Sequence, residues 1–149
     1  MQNTTPISKI MTRKPATVGP EDNFETVRNI FEKQGFHHVP VVENGMLAGI
    51  VSYTDYLRII RDLYGNAQEK RSNEHLLNTL LVKEVMTEHP VCLTPKDTVE
   101  DALRIFNTNH FHAIPVLEGN RHLVGILTTH DLIKVLERVL APEIDYASK

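Results

Sequence analysis

Hydrophobic residues recur at helical spacing in four stretches of the chain. Val99, Ala102, Leu103 and Phe106 stand at i, i+3, i+4 and i+7, which places them on one face of a helix. Residues 24–31 mirror this set, and residues 56–60 and 132–136 carry further apolar positions with the same period. The pattern therefore predicts two pairs of amphipathic helices.

Shorter apolar runs between these stretches indicate β-hairpins. Residues 39–42 and 47–51 flank Asn44-Gly45, and residues 114–117 and 123–127 flank a turn at 119–121. Asn-Gly between two apolar runs is a strong hairpin signal. Brief extended pieces at 16–18 and 91–93 precede the first helix of each set. The predicted order is β-α-β-β-α, twice.

Polar residues mark where the helices are expected to begin. Ser52-x-x-Asp55 and Thr128-x-x-Asp131 have the spacing of an N-cap and its third helical residue. Thr94, followed by Pro95 and Asp97, is the predicted N-cap of the helix that carries Val99.

The two sets are copies of one sequence unit. Residues 7–43 align on 82–118 and residues 49–60 on 125–136, and sixteen of these forty-nine pairs are identical. A unit of this size buries its apolar faces poorly alone, so we expect an α+β (α/β) fold with the two repeats packed about a pseudo-twofold axis. The predicted domains are repeat one (7–60), a partly helical connection (61–81) with a loose stretch at Gly65-Asn66, repeat two (82–136), and a helix end with tail (137–149).

Composition narrows the class of protein. The 149 residues carry 16 Lys and Arg against 19 Asp and Glu, for a net charge of -3, and a single cysteine, Cys92. No basic face suited to nucleic acid is indicated, and the longest apolar runs fall short of a membrane span. The chain opens without a signal-peptide pattern. We therefore expect a cytoplasmic protein without nucleic-acid or membrane partners.

The duplicated motifs resemble a tandem CBS-domain pair, also called a Bateman module. The resemblance rests on Met-Thr-x-x-Pro, Phe-His-x-x-Pro-Val and Gly-Ile-x-Ser/Thr-x-x-Asp, each present twice. It implies a module with two clefts that often bind AMP, ADP, ATP, S-adenosylmethionine, NAD or cyclic dinucleotides, and that regulates an enzyme, channel or transporter. The expected function is sensing of an adenosine-containing ligand, without catalysis.

The resemblance points to Asp55 and Asp131 as ribose ligands. A carboxylate can accept hydrogen bonds from both ribose hydroxyls; the alternative is that each only completes a capping box. The hydroxyls of Ser52, Thr54 and Thr128 are donors at the same helix starts, where backbone N–H groups also favour anions. His130 replaces Thr54 in repeat two, so the two sites are not expected to be equivalent.

Three histidines occupy positions where nucleotide-binding relatives place Arg, Lys or His against phosphates. They are His37, His38 and His112. Because histidine is mostly neutral at pH 7, it binds phosphate more weakly than arginine does. The three histidines therefore favour a monophosphate or a sulfonium ligand. The alternative is that each is satisfied by backbone groups.

By the same resemblance, the adenine is expected against 17–18 or 92–93 and the runs near Val39 or Ile114, although such residues are more often core. No required cofactor, metal site or catalytic group is expected, since no His-Glu-x-x-His motif, cysteine pair or Gly-rich phosphate loop is present.

Apolar positions in 132–140 exceed what one copy can cover and favour a homodimer. The competing hypothesis is an empty module that dimerises or docks on a partner enzyme or transporter. A third hypothesis is an enzyme like inosine monophosphate dehydrogenase, but this sequence does not contain the catalytic barrel of such an enzyme.

Overall fold

A computed structural model describes residues 4–64 and 77–141. The helices are α1 (Phe24–Gln34), α2 (Tyr53–Tyr64), α3 (Val82–Val85), α4 (Val99–Thr108) and α5 (Thr129–Leu140), with a 3-10 turn at Ile7–Lys9. The strands are β1 (Thr12–Arg13), β2 (His38–Glu43), β3 (Met46–Ser52), β4 (Thr87–Glu88), β5 (Ala113–Glu118) and β6 (His122–Thr128). The α+β class and both predicted hairpins are confirmed. Gly65-Asn66 and the tail beyond 141 lie outside the described residues.

The chain forms two compact units whose boundaries do not follow the repeats along the sequence. The repeat-one unit comprises Pro15–Pro90 and Arg121–Leu123; the repeat-two unit takes its described residues from Met1–Lys14, Val91–Asn120 and Val124–Lys149. The first residues of each repeat, including Met-Thr, therefore belong to the unit of the other repeat.

In the repeat-one unit, β2 and β3 pair antiparallel and β4 adds to the far edge of β3. Val18 joins Val41 of β2 in a single parallel bridge, which is the extended piece predicted at 16–18. The core is formed by the apolar faces of α1, the hairpin and the start of α2, with contributions from residues before α1 and from the segment around α3. Its buried residues are Val18, Phe24, Val27, Ile30, Phe31, Val39, Val41, Val51, Tyr56, Leu77 and Val82.

The repeat-two unit repeats this plan with β1 in place of β4. β1 pairs antiparallel with β6, matching Thr12 to Ile126 and Arg13 to Gly125, and β6 pairs with β5. Leu93 bridges Val116 in parallel. A second core holds Ile7, Met11, Leu93, Ala102, Ile114, Val116 and Leu127.

The exchanged segments also cap the first helices. The N–H of Phe24 donates to the Leu80 carbonyl at 2.7 Å, and the N–H of Val99 donates to the Thr5 carbonyl at 3.0 Å. Each bond satisfies a backbone donor that a helix start leaves without an intrahelical partner.

One predicted helix start is wrong by four residues. Thr94 and Asp97 form a turn, in which Asp97 accepts from the Thr94 N–H at 2.7 Å, and α4 begins only after Thr98. Thr98 and Asp101 form the capping box there. Both segments have the Thr-x-x-Asp spacing, and the second one stands directly before the apolar stripe.

Candidate functional site

The first candidate residues lie where β3 ends and α2 begins. Asp55 accepts from the Ser52 N–H at 3.2 Å through Oδ2, and the Asp55 N–H donates to Ser52 Oγ at 3.1 Å. This is the capping box predicted from the spacing. Thr54, in the same turn, is exposed.

The second oxygen of Asp55 is directed differently from the first. Oδ1 lies 3.4 Å from Nη1 of Arg58, one turn along α2, in a pair whose Asp side chain is 21% exposed and whose Arg side chain is 58% exposed. An ion pair of this exposure is weak and easily replaced by other partners. Asp55 thus has one oxygen occupied by the helix start and one oxygen that faces an exposed arginine, in a side chain that is 21% exposed.

The equivalent residue in repeat two is far more constrained. Asp131 is only 6% exposed, and its Oδ2 accepts from the N–H and the hydroxyl of Thr128 at 2.9 and 3.1 Å. The Asp131 N–H donates to Thr128 Oγ1 at 3.2 Å. Its Oδ1 accepts from the Thr12 hydroxyl at 3.1 Å, so both oxygens are occupied within the repeat-two unit.

The histidines mark the entry to β2 and the loop before β5. The carbonyls of His37 and His112 accept from the first helical N–H groups of α2 and α5, at Tyr53 (2.7 Å) and Thr129 (3.0 Å). Both side chains are exposed, whereas His38 is half-buried and stands opposite Ser52 in the β2–β3 register. The Phe-His motif therefore joins each hairpin to its second helix through backbone bonds.

An aromatic cluster in repeat one escaped the sequence-based reasoning. The ring of Tyr53 stacks on His37, with centroids 5.4 Å apart and planes 22° apart, and lies 5.6 Å from the rings of Phe31 and Tyr56. The only advance signal was that Tyr53 and Tyr56 align with Thr129 and Leu132. This aromatic cluster at the start of α2 is thus specific to repeat one.

Tyr56 also ties α2 to α1. Its hydroxyl donates to Glu32 Oε1 at 2.6 Å. This bond lowers the pKa of Glu32, helped by Arg28, while burial and the bond to Glu32 raise the pKa of Tyr56. The carboxylate and the protonated phenol thus stabilise one another.

The CBS domain family matches residues 7–62 and 82–138. The chain belongs to the CBS domain family. Both matches span the same motifs that the repeats carry, and the exchanged Met-Thr segments fall inside them.

This CBS pair is similar to three proteins of known structure, of which the first is an archaeal protein. Protein MJ1225 of Methanocaldococcus jannaschii is 25% identical over 86% of the chain; its crystal structure superposes with a TM-score of 0.80 at 24% identity, covering 91% of the chain and 49% of that structure. The chain covers 46% of MJ1225, so it spans about half the length of the first curated relative it matches.

Two other solved CBS pairs contain adenosine compounds. CBSX2 of Arabidopsis thaliana in complex with AMP has a TM-score of 0.76 at 21% identity, with 91% of this chain and 98% of that chain covered. The CBS pair of protein MJ0100, in complex with 5-methylthioadenosine and S-adenosyl-L-methionine, has a TM-score of 0.74 at 20% identity, with the same coverage. At this identity, the likeness shows a shared fold.

The positions predicted to face adenine are divided in this CBS pair. Val18, Val39, Leu93 and Ile114 are buried in the two cores, which is the alternative that the sequence left open. Thr17 is exposed and Cys92 half-buried, so these two keep the predicted contact as a hypothesis.

Within residues 4–64 and 77–141, no three His, Cys, Asp or Glu side chains converge as metal ligands would. Over the same ranges, no helix has the length and apolar character needed to span a bilayer.

Proposed function

We propose that this CBS pair senses an adenosine-containing ligand and does not turn over a substrate. The observation that carries the proposal is the Asp55 carboxylate: Oδ2 is held by the start of α2, while among the described residues Oδ1 meets an exposed arginine at 3.4 Å. A fixed carboxylate with one accessible oxygen is suited to accept hydrogen bonds from ribose hydroxyls.

The solved relatives support an adenosine-type ligand. CBSX2 was crystallised with AMP, and MJ0100 with 5-methylthioadenosine and S-adenosyl-L-methionine. These compounds share adenine and ribose and differ in charge at the 5′ position. We infer that recognition here centres on the nucleoside part, with AMP, ADP, ATP or S-adenosylmethionine as candidate ligands and no required cofactor.

The groups that we propose to lie near a 5′ substituent favour a small charge on that substituent. In this proposal the hydroxyls come from Ser52, Thr54 and Thr128, of which the Thr128 hydroxyl already donates to Asp131 Oδ2 at 3.1 Å. The imidazoles come from His37, His38 and His112, without an arginine at the histidine positions. Neutral imidazole is a weaker phosphate ligand than guanidinium, so a monophosphate or a sulfonium group fits better than a triphosphate.

Regulation would then follow from linkage. A ligand shifts a conformational equilibrium only by its differential affinity for the two states. We propose that the bound and free forms differ in shape or assembly, and that a partner enzyme or transporter responds to this difference.

A thermal-unfolding panel tests the proposal. The full chain is heated at pH 7 and pH 6 with AMP, ADP, ATP, S-adenosylmethionine, NAD or cyclic di-AMP. A ligand at a hundred times its Kd adds roughly 2.7 kcal/mol of stability, which corresponds to a shift of several degrees. A shift with one compound identifies the ligand class, and a larger shift at pH 6 implicates the histidines. No shift with any compound would refute the proposal.

The exposed face of α5 favours a second candidate, a dimerisation or docking module. Ile133, Leu136 and Val139 are 59%, 55% and 46% exposed and lie three residues apart on one helix face. Apolar side chains in such a row favour burial against another chain. A homodimer through this face and a cytoplasmic location form part of both proposals, and the unfolding panel separates the two functions.

A further inference from the structure

We propose that the two equivalent aspartates have different roles, and that the chain consequently takes one adenosine-type ligand rather than two. Asp131 is a structural residue that holds β1 against the start of α5, while Asp55 alone accepts the ribose. The ligand part of this inference rests on the proposed function; the structural part does not.

The acceptor capacity of Asp131 is largely used by the protein itself. An ionised carboxylate has about four lone-pair sites, and three are taken by the Thr128 N–H, the Thr128 hydroxyl and the Thr12 hydroxyl. At 6% exposure, little room is left beside the carboxylate. A ribose hydroxyl would have to displace the hydroxyl of Thr12, which is itself an exposed residue, to reach the buried carboxylate.

Thr12 is held at that position by the strand pairing. Its backbone stands opposite Ile126 in the β1–β6 ladder, and Met11 beside it packs directly over Gly125. The hydroxyl therefore reaches Asp131 from a segment 119 residues away in sequence. Losing this donor leaves a buried carboxylate oxygen without a partner, which is unfavourable.

Repeat one has the same strand pairing without the hydrogen bond. Thr87, the counterpart of Thr12, stands opposite Ile50 in the β3–β4 ladder. Among the described residues, its hydroxyl donates no bond to Asp55, whose Oδ1 meets only Arg58. The pair Thr12 and Thr87 thus offers a matched comparison within one chain.

The side chains at the start of α2 and at the start of α5 also differ, and the difference favours a ligand in repeat one. At the start of α2, the rings of His37 and Tyr53 stack on one another and are partly exposed, and exposed aromatic rings are surfaces on which bases can stack. Repeat two has Thr129 at the position of Tyr53. The unused hydrogen-bond capacity of Asp55 and the aromatic residues at this helix start therefore both favour repeat one.

The structural role is tested by thermal unfolding of Thr12→Val and Thr87→Val. Thr12→Val is expected to lower the Tm by about 3 °C, the size of one lost partly buried hydrogen bond in a chain of this length. Thr87→Val is expected to change it by less than about 1 °C. Equal shifts in the two variants would overturn the structural role of Asp131.

The ligand role is tested by isothermal titration calorimetry with AMP and with S-adenosylmethionine. We expect one ligand per chain, a loss of affinity of at least about tenfold in Asp55→Asn, and an unchanged stoichiometry in Thr12→Val. The affinity of Asp131→Asn is measured at a temperature where circular dichroism shows that variant folded, and it is expected to match the wild type. If Asp131→Asn does not fold, Thr12→Val alone tests the ligand role of repeat two.

Two ligands per chain, or a folded Thr12→Val that no longer binds, would overturn the inference. If the wild-type chain binds neither probe and gives no shift in the full panel, the proposed function fails and the single-ligand claim fails with it. The comparison of Thr12→Val with Thr87→Val still decides the structural role of Asp131 in that case, so the two failures are distinguishable.

Discussion

The close approach of β1 to β6 makes Gly125 a sensitive position. A Cβ built on Gly125 would lie 2.9 Å from the Thr12 carbonyl oxygen and 2.7 Å from the Met11 sulfur, whereas ordinary contact begins at 3.4 Å. The methionine side chain can move aside, because its sulfur is at the flexible end. The backbone oxygen can move only if β1 shifts by about half an ångström away from β6.

Gly125→Ala is therefore expected to destabilise the chain by about 1–3 kcal/mol, the range for overpacking in a well-packed core. The displaced strand would also lengthen the Thr12–Asp131 hydrogen bond of 3.1 Å. Gly19→Ala serves as the control, since the nearest atom to its added Cβ is at 3.6 Å. That change is expected to be neutral or stabilising by a few tenths of a kcal/mol.

The assay is urea unfolding followed by far-ultraviolet circular dichroism, with the free energy of unfolding taken by linear extrapolation. An unchanged slope with a lower midpoint is the expected result for Gly125→Ala. If its free energy of unfolding lies within about 0.5 kcal/mol of the Gly19→Ala value, the claim that β1 depends on a glycine here is refuted.

Three further predictions concern other residues. Tyr56→Phe is expected to lower the free energy of unfolding by about 1 kcal/mol at pH 7. Because the Glu32 pKa is lowered from 4.5 in the folded state, this difference between wild type and variant should shrink as the pH falls below 4.5. A difference that stays constant from pH 7 to pH 3 in urea unfolding would contradict the prediction. Since the Tyr56 pKa is raised from 10.0, the wild type should also lose stability relative to Tyr56→Phe above pH 10. Asp55→Ala should weaken a bound adenosine ligand by about 1–3 kcal/mol in calorimetry, whereas unchanged affinity with a lower Tm would assign it to capping alone. Ile133→Ser with Leu136→Ser should shift a dimer to monomer in sedimentation equilibrium at unchanged helix content, and an unaltered mass would remove α5 from the interface.

The predicted capping boxes show how far local pattern reaches. Ser52-Asp55 and Thr128-Asp131 were found from four-residue spacing, and the bonds are present because a cap depends only on residues within one turn. The same reasoning failed at Thr94, where an equally spaced Asp97 closes a turn instead. Spacing identifies an Asp that can bind a backbone N–H, but the position of the apolar stripe decides where the helix begins.

For the candidate site, the sequence located Asp55 and Asp131 and anticipated that the repeats would differ at His130. It did not distinguish the two carboxylates, which have the same local motif. Their difference comes from the hydroxyl of Thr12, which is remote in sequence and donates to Asp131.

The sequence by itself determined the duplication, the order of elements, the hairpin turns and the membership of the CBS domain family, since all of these depend on short-range periodicity and on self-similarity. Only the tertiary structure decided that Met11 and Thr12 join the unit of repeat two while Met86 and Thr87 join that of repeat one, and that, among the described residues, Thr12 donates to its aspartate and Thr87 does not. Strand pairing carries no sequence code beyond alternation, and two copies of one motif offer each strand two equivalent partners. The choice between them depends on packing across the whole chain.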